Sequence, residues 1–189
     1  MRYPRDHKEK SRHKIITVAA KEYRRRGIAG FGVGDAMKGA GLTKGAFYAH
    51  FSSKEELVRE ALHEAMTSSP VLVDGERNKS LEQVLSHDLD TDHRDHPEKG
   101  CPIPSLIEEV ARHPKRTREG FVSGVKEILA LIEAHLPRSK TPAARQKAAL
   151  AIFSTMLGAL QLARVTSDLD LSGKVLDAAR EAALDLAKD

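Results

Sequence analysis

Two stretches of the sequence bring together side chains that could do chemistry. The first, TKGAFYAH at positions 43–50, places the long cationic donor Lys44 beside Gly45, which has no side chain. At the exposed start of a short helix, such a donor can neutralise a phosphate or hydrogen-bond the edge of a guanine. The second, HDLDTDHRDHPEKGC at positions 87–101, combines three His, four Asp and one Cys. Polyanion binding, metal binding and thiol chemistry are therefore the candidates.

The first stretch must be positioned by the elements on either side of it. Apolar residues over 33–40 recur with the i, i+3, i+4, i+7 spacing of an amphipathic helix, and Gly41 follows where a helix can end at positive φ. Thr43 is expected to cap a second helix of about two turns over 44–51. Two short helices joined by a glycine turn form a helix-turn-helix, whose second helix lies in the DNA major groove. On spacing alone, a purely structural corner explains the pattern equally well.

The second helix of this motif has two chemically different sides. We expect the inward side to be Leu42, Phe47 and Phe51, and the outward side to be Lys44, Tyr48 and His50. In a helix-turn-helix the base edges face the N-terminal end of the second helix, which here consists of Thr43, Lys44, Gly45 and Ala46. The pattern Ser53 to Glu56 is a capping box that opens a further helix over 53–66.

This segment resembles the DNA-binding signature of the TetR family of bacterial repressors. The stretch AGLTKGAFYAHFSSKEEL at positions 40–57 follows the family pattern at Ala40, Gly41, Thr43, Gly45, Tyr48, His50, Phe51, Lys54 and Leu57. The resemblance covers roughly residues 10 to 66 and is specific there. Beyond that range it rests on chain length, on an all-helical pattern and on the segment 93–112.

The resemblance implies that three further residues, Tyr48, His50 and Lys54, contact DNA phosphates. Two departures from the family pattern affect the helix before the turn. Gly32 stands where the family usually carries Ser or Thr, and Ala36-Met37 stands where it usually carries Ile-Ala. A metal or catalytic role for His50 is not expected, because no His, Cys or acid lies at ligand spacing from it.

The charge of the chain is distributed unevenly along its length. The formal net charge is +4, but residues 1–60 hold 14 Lys and Arg against 7 Asp and Glu, and the remaining residues hold 17 against 20. A basic segment on a mildly acidic body fits a polyanion-binding head, although a solvated basic face has the same charge. We expect residues 1–10 to form a loose basic arm that adds phosphate contacts.

The pattern of the rest of the chain predicts an all-α protein of about nine helices, and the resemblance implies that they form a TetR-like fold. An N-terminal three-helix DNA-binding domain is expected over residues 1–52, and an effector-binding and dimerisation domain over residues 53–189. The helix at 143–165 is apolar nearly all round, so it must be buried on more than one side. We therefore expect a homodimer through the last two helices, Ala143 to Ala187, packed as a four-helix bundle, which is also the arrangement that the resemblance implies.

The second chemical stretch carries weaker signals. It has no Cys-x-x-Cys element and its charges alternate as on a solvated loop, so no metal site is predicted. Gly-Cys-Pro at 100–102 resembles a segment that opens a body helix in a subgroup of TetR-like regulators, here over 103–112. Some regulators of that type sense electrophiles or oxidants through a cysteine. Cys101 would need thiolate character and exposure for that role, and the alternative is a small buried residue.

Other classes of protein leave no signature in the sequence. There is no P-loop, dinucleotide glycine pattern, His-Glu-x-x-His or nucleophile elbow, so neither an enzyme nor a cofactor is predicted. One cysteine and no N-terminal apolar segment favour the cytoplasm. The longest uncharged run, 148–163, is shorter than the ~20 residues that span a bilayer, so no membrane partner is expected.

The expected function is that of a repressor which binds an inverted-repeat operator in double-stranded DNA as a homodimer. An unknown small-molecule effector would release it. Two alternatives remain open: a thiol-switched repressor that uses Cys101, and a helical adaptor that does not bind DNA.

Overall fold

The computed structural model describes residues 5–70 and 79–188, which form nine α-helices and one short 3₁₀ helix. The elements are α1 (Arg5–Arg26), α2 (Val33–Gly39), the 3₁₀ helix (Lys44–Ala49), α3 (Lys54–Thr67), α4 (Leu81–Asp88), α5 (Thr91–Asp95), α6 (Ile103–Val110), α7 (Lys115–His135), α8 (Pro142–Val165) and α9 (Leu169–Lys188). No strand occurs in these two ranges. The predicted all-α fold of about nine helices is confirmed. The sequence also favours a connector over 71–79, and this range lies almost wholly outside the described residues.

The N-terminal helices pack around a small aromatic and aliphatic core, which we call the head. Tyr23 meets Phe31 edge to face with ring centroids 6.0 Å apart, and Phe47 stacks on Phe51 at 5.4 Å. All four rings are buried. Burying an aromatic side chain contributes a few kcal/mol, so these rings hold the segment after the glycine turn against α1.

Helix α3 connects the head to the larger C-terminal part, which we call the body. It packs against α1 on one side and against α7 on the other. The residues that it buries, among them Leu57, Val58, Ala61 and Leu62, recur at helical spacing around more than one side of the helix. A movement of α3 therefore changes its packing against both the head and the body.

The last two helices form the most extensive helix pair among the described residues. Large apolar side chains nevertheless stay exposed on these two helices: Leu150, Leu162, Val165, Leu169, Leu171 and Leu186. By length and composition α8, with 24 residues, could also cross a membrane, but the core helix of a soluble protein passes the same test, so this is weak evidence. The sequence had predicted an apolar run too short to span.

The loose arm predicted for residues 1–10 is wrong for the part that the structure describes, because α1 already begins at Arg5. No Gly or Pro occurs between Pro4 and Gly27, and Arg, Lys and Glu are good helix formers. A solvent-exposed turn has no apolar periodicity, so the pattern that located the rest of α1 could not show its start.

The second helix of the motif is also shorter and tighter than predicted. It ends at Ala49 and is a 3₁₀ helix, with the Ala46 amide donating to Thr43 O (3.1 Å) and the His50 amide to Phe47 O (2.9 Å). Thr43 has the extended backbone of an N-cap, but its side chain makes no capping hydrogen bond. A six-residue segment without a side-chain cap gains little from α-helical bonding, so the burial of Phe47 and Phe51 decides its geometry.

The stretch 87–101 is not the solvated loop that its charges predicted. It contains α5, and His93 is only 7% exposed, with its Nδ1 within 2.8 Å of Asp88 O. The guanidinium of Arg164, on α8, donates to His93 O (2.8 Å) and to Arg94 O (3.2 Å). These partners lie about 70 residues away in sequence, so charge alternation could not reveal the packing.

Candidate nucleic-acid interface

The turn between α2 and the 3₁₀ helix is fixed by backbone geometry. Gly41 has φ of +76°, and its amide donates to Lys38 O at 3.0 Å, while the Leu42 amide donates to Met37 O at 2.9 Å. A residue with a side chain is strained at this φ, whereas glycine is not. The turn therefore leads directly into the 3₁₀ helix, whose position is fixed by the buried side chains of Phe47 and Phe51.

Most of the residues predicted to contact DNA are exposed. Tyr48 is 80% exposed, and the other exposed members are Thr43, Lys44, Gly45 and Lys54; Ala46 and His50 are half-buried. On the inward side Phe47 and Phe51 are buried as expected, while Leu42 is half-buried. The segment thus offers hydroxyl, ammonium, phenol and bare backbone to solvent from a fixed position.

Lys44 and Lys54 form no ion pair with any residue in the ranges 5–70 and 79–188. The Lys44 stem lies beside Gly34, whose added Cβ would be 3.7 Å from Lys44 Cδ. Lys54 is the first residue of α3, where the helix dipole disfavours a cation. Both ammonium groups are therefore exposed and are not neutralised by a carboxylate among the described residues.

The entry into α3 carries only half of the predicted capping box. Ser53 Oγ accepts from the Glu56 amide (3.1 Å), but the Glu56 carboxylate turns to the amide (2.7 Å) and hydroxyl (2.6 Å) of Ser52. These bonds and the guanidinium of Arg12 lower the pKa of Glu56 to about 2. Glu56 therefore stays ionised and fixes the link between the 3₁₀ helix and α3.

His50, at the end of the 3₁₀ helix, is neutral near neutral pH. Burial lowers its pKa, and the nearby charges of Lys8 and Arg12 lower it further. Its Nδ1 is buried and accepts no hydrogen bond from the described residues. If His50 contacts a phosphate, it would therefore do so by donating a hydrogen bond from a neutral imidazole N–H, and not by forming an ion pair.

Arg12, on α1, is a site residue that the sequence reasoning missed. Its Nε donates to His50 O (3.4 Å), its two amino groups reach Glu56 (3.1 Å) and Glu60 (3.4 Å), and its guanidinium lies 4.8 Å from the centroid of Phe51. One side chain thus holds the end of the 3₁₀ helix to α3. Nothing in the sequence links position 12 to position 50.

Two lysines of α1 also extend the basic surface beside this segment. Lys14 Nζ lies 3.7 Å from where a Cβ on Gly41 would be, and Lys8 is close enough to His50 to lower its pKa. A polar stripe along residues 7 to 14 could have indicated them, but only after α1 was known to begin before residue 7.

Cys101 lies in the body and is only 4% exposed. Burial, and next the charge of Asp88, raise the pKa of its thiol to about 12. The thiol is therefore protonated near neutral pH, whereas reactive cysteines are thiolates. Among the described residues no group of three or more His, Cys, Asp and Glu could hold a metal ion.

Comparisons with known proteins agree with this geometry. The model for bacterial regulatory proteins of the tetR family matches residues 15–61, which run from α1 to the middle of α3. The HTH-type transcriptional regulator TtgR of Pseudomonas putida is 36% identical over 67 residues, which make up 34% of this chain and 32% of TtgR. The match therefore spans about a third of the length of this curated relative.

Solved structures extend the likeness to the whole fold. A TetR transcriptional regulator from Chloroflexus aurantiacus superposes with a TM-score of 0.75 at 24% identity, over 94% of both chains. A TetR-family regulator from Cytophaga hutchinsonii superposes with a TM-score of 0.73 at 20% identity, over 100% of both chains. The segment 15–61 therefore matches the tetR family of bacterial regulatory proteins in sequence, and the chain as a whole has the TetR-like fold.

Proposed function

We propose that this chain is a transcriptional regulator in the cytoplasm that binds an inverted-repeat operator in double-stranded DNA as a homodimer, and that a small-molecule effector releases it. The observation that carries the proposal is the two-sided segment 43–51. Its aromatic side is buried in the head, and its polar side is exposed without ion pairs among the described residues. We call this polar side, together with Lys54 at the start of α3, the ridge. A projecting polar surface of this size fits the major groove.

The residues of the ridge have different parts in this proposal. Lys44 is the one long donor at the end that faces the base edges, so it reads a guanine or holds an adjacent phosphate. Thr43, Gly45 and Ala46 allow the backbone to approach the duplex. Tyr48, His50 and Lys54 contact phosphates, which position the head without reading sequence.

The dimer is supported by the exposed apolar surface of α8 and α9. Leu162 is 52% exposed and Val165 is 79% exposed on a helix that already packs against α9. An apolar surface of this kind on a pair of neighbouring helices suits a second copy of the same pair.

A charge in this surface tests the dimer. Leu162→Glu should convert the protein from dimer to monomer in sedimentation velocity at micromolar concentration. Val122→Glu is the matched control, because Val122 is 45% exposed on α7, outside α8 and α9. A wild-type monomer, or a Leu162→Glu dimer as stable as wild type, would contradict the proposed interface.

Release by a small molecule is supported by a cavity in the body. It has a volume of about 300 Å³, and its described lining includes His87, Asp90, His96, Lys99 and Cys101. This volume is at the lower end of the range typical of small-molecule sites. An effector that binds better to a body conformation with the wrong head separation would shift the population off DNA.

Selection of duplexes from random-sequence DNA by the purified protein tests the function as a whole. The expected product is an inverted repeat with half-sites about one turn apart, ~34–36 Å, or a modest variation of it. Enrichment of no palindrome, with only weak and salt-sensitive retardation of any duplex, would favour the adaptor. Cys101→Ser addresses the thiol alternative, since a thiol switch requires that this variant no longer responds to oxidants.

A further inference from the structure

Glu109, on the body helix α6, accepts two hydrogen bonds from the loop between α1 and α2 of the head. The Ile28 amide donates to Glu109 Oε1 (3.2 Å) and the Ala29 amide donates to Oε2 (2.8 Å). The loop comes so close that a Cβ on Gly27 would overlap Oε1. A carboxylate that uses both oxygens on consecutive amides restrains orientation as well as distance.

The flanks of α6 are tied to the head as well. Before α6, Gly100 O accepts from the Arg24 guanidinium at 3.2 Å. After it, Glu55 of α3 accepts from Thr117 Oγ1 (2.6 Å) and pairs with His113 Nδ1 (3.0 Å). The α6 region is therefore bonded to the head through Arg24 and through Glu109, and to the connecting helix α3 through Glu55; of these contacts only that of Glu109 comes from α6 itself.

The other side of α6 is tied to α8. Gln161 Nε2 donates to Pro104 O (3.3 Å), and the Arg164 guanidinium donates to Ser105 Oγ (3.0 Å). Because α8 carries the surface assigned to the dimer, α6 links the head to that surface, beside the route that runs through α3 and α7. The orientation of each head in the dimer then depends on the contacts of α6 as well as on the packing of α3.

We propose that Glu109 is a positioning residue that sets which half-site separation the dimer accepts, although it touches no DNA. This inference rests on the proposed function. Two heads held at a fixed separation bind only operators whose half-sites match it. Heads that are free to turn about α3 accept neighbouring separations as well, at the cost of ordering the head on binding.

Glu108 supplies a matched control beside Glu109. It is exposed and pairs with Arg112 on the same face at 2.7 Å, with no bond to the head. Glu108→Ala and Glu109→Ala make the same change in charge and size at adjacent positions of one helix. Only Glu109→Ala removes the hydrogen bonds to the loop, and Glu109→Gln should be intermediate because it keeps one acceptor oxygen.

The first experiment measures affinity for the selected inverted repeat and for versions with the spacer lengthened or shortened by one or two base pairs. In Glu109→Ala the preference for the selected spacer should fall about fivefold or more, which corresponds to loss of a typical coupling between sites. Glu108→Ala should keep the wild-type preference. A Glu109→Ala profile as steep as that of wild type, or equal flattening in both variants, would overturn the inference.

The second experiment needs no DNA. Spin labels are placed on the head at Lys38→Cys and on the body at Glu127→Cys, in a Cys101→Ser background, and the distance distribution is recorded. Glu109→Ala should broaden it and Glu108→Ala should not; an unchanged distribution overturns the inference. If wild type selects no inverted repeat, the proposed function fails instead, and the label distances still decide whether Glu109 fixes the head.

Discussion

The head has two glycine turns with nearly the same φ angle, and their surroundings differ in charge. Gly27, after α1, has φ of +79°, and Gly41, after α2, has φ of +76°. Around Gly27 the adjacent amides bond to the Glu109 carboxylate of the body. Around Gly41 the nearest group to an added Cβ is the Lys14 ammonium at 3.7 Å. One turn is held by the body, and the other is left open beside cations.

This difference divides the polar groups of the head by where their partners come from. On the body side, amides and Arg24 find carboxylate or carbonyl acceptors within the chain. On the open side, Lys44 and Lys54 have no ion pair among residues 5–70 and 79–188. A head that is bonded to the body on one side and exposes unpaired lysines on the other is suited to transmit the position of the body to a polyanion.

Substituting alanine for Gly27 or Gly41 should cause the largest loss of folding stability. Comparing the two variants separates the cost of the backbone strain from the cost of the lost contacts with Glu109. Either substitution forces a side chain into the left-handed region, which costs roughly 1–2 kcal/mol of folding stability. Gly27→Ala also displaces the Glu109 carboxylate, and the lost hydrogen bonds cost about 1–3 kcal/mol more. Urea unfolding should therefore show Gly27→Ala to be clearly less stable than Gly41→Ala, and equal losses would mean that Glu109 contributes nothing to this turn.

Removing the open-side lysines should leave stability nearly unchanged and weaken DNA binding. Lys44→Ala should cost about 1–3 kcal/mol on the selected duplex, and less on unrelated DNA, if it reads a base. Lys54→Ala should weaken binding to all duplexes and reduce the salt slope by about one. Fluorescence anisotropy across salt concentrations measures both.

Lys126→Ala is the control for these lysines, since Lys126 is exposed on α7 in the body. It loses the same charge far from the ridge. If Lys44→Ala and Lys54→Ala bind operator as well as wild type does, the assignment of the ridge is wrong. If Lys126→Ala weakens binding as much as they do, net charge rather than the ridge explains the effect.

The open side could be predicted from the sequence because its information is local. The glycine turn, the spacing of Phe47 and Phe51 and the outward Lys44 and Tyr48 all lie within a dozen residues. The sequence could not predict that the second helix of the motif is a 3₁₀ helix and not an α-helix, since its geometry depends on the burial of Phe47 and Phe51 in the folded head and not on capping at Thr43. Exposed residues at the start of α1 carried no periodic signal either.

The body side could not be predicted because its contacts join distant parts of the chain. Glu109 bonds to residues 80 and 81 positions away, and Arg164 bonds to residues about 70 positions away. A single glutamate at the edge of an amphipathic helix has the same appearance whether it faces water, as Glu108 does, or another domain. Only the packing of α6 against the head distinguishes the two.

The smallest expected effect is a loss of folding stability in acid, where protonation of Glu56 weakens its bonds to Ser52 and Arg12. Ser52 and Arg12 lower the pKa of Glu56 to about 2, below the ~4.3 of an unfolded chain. The ionised carboxylate therefore contributes fully to folding stability above the unfolded pKa, and this contribution is lost as pH falls towards about 2. Glu56→Gln should cost ~1 kcal/mol at neutral pH, since the pair is partly exposed. Thermal melting from pH 7 to pH 2.5 should show this difference shrink, whereas Glu108→Gln should match wild type throughout; a constant difference would mean that shape, not charge, holds the end of the ridge.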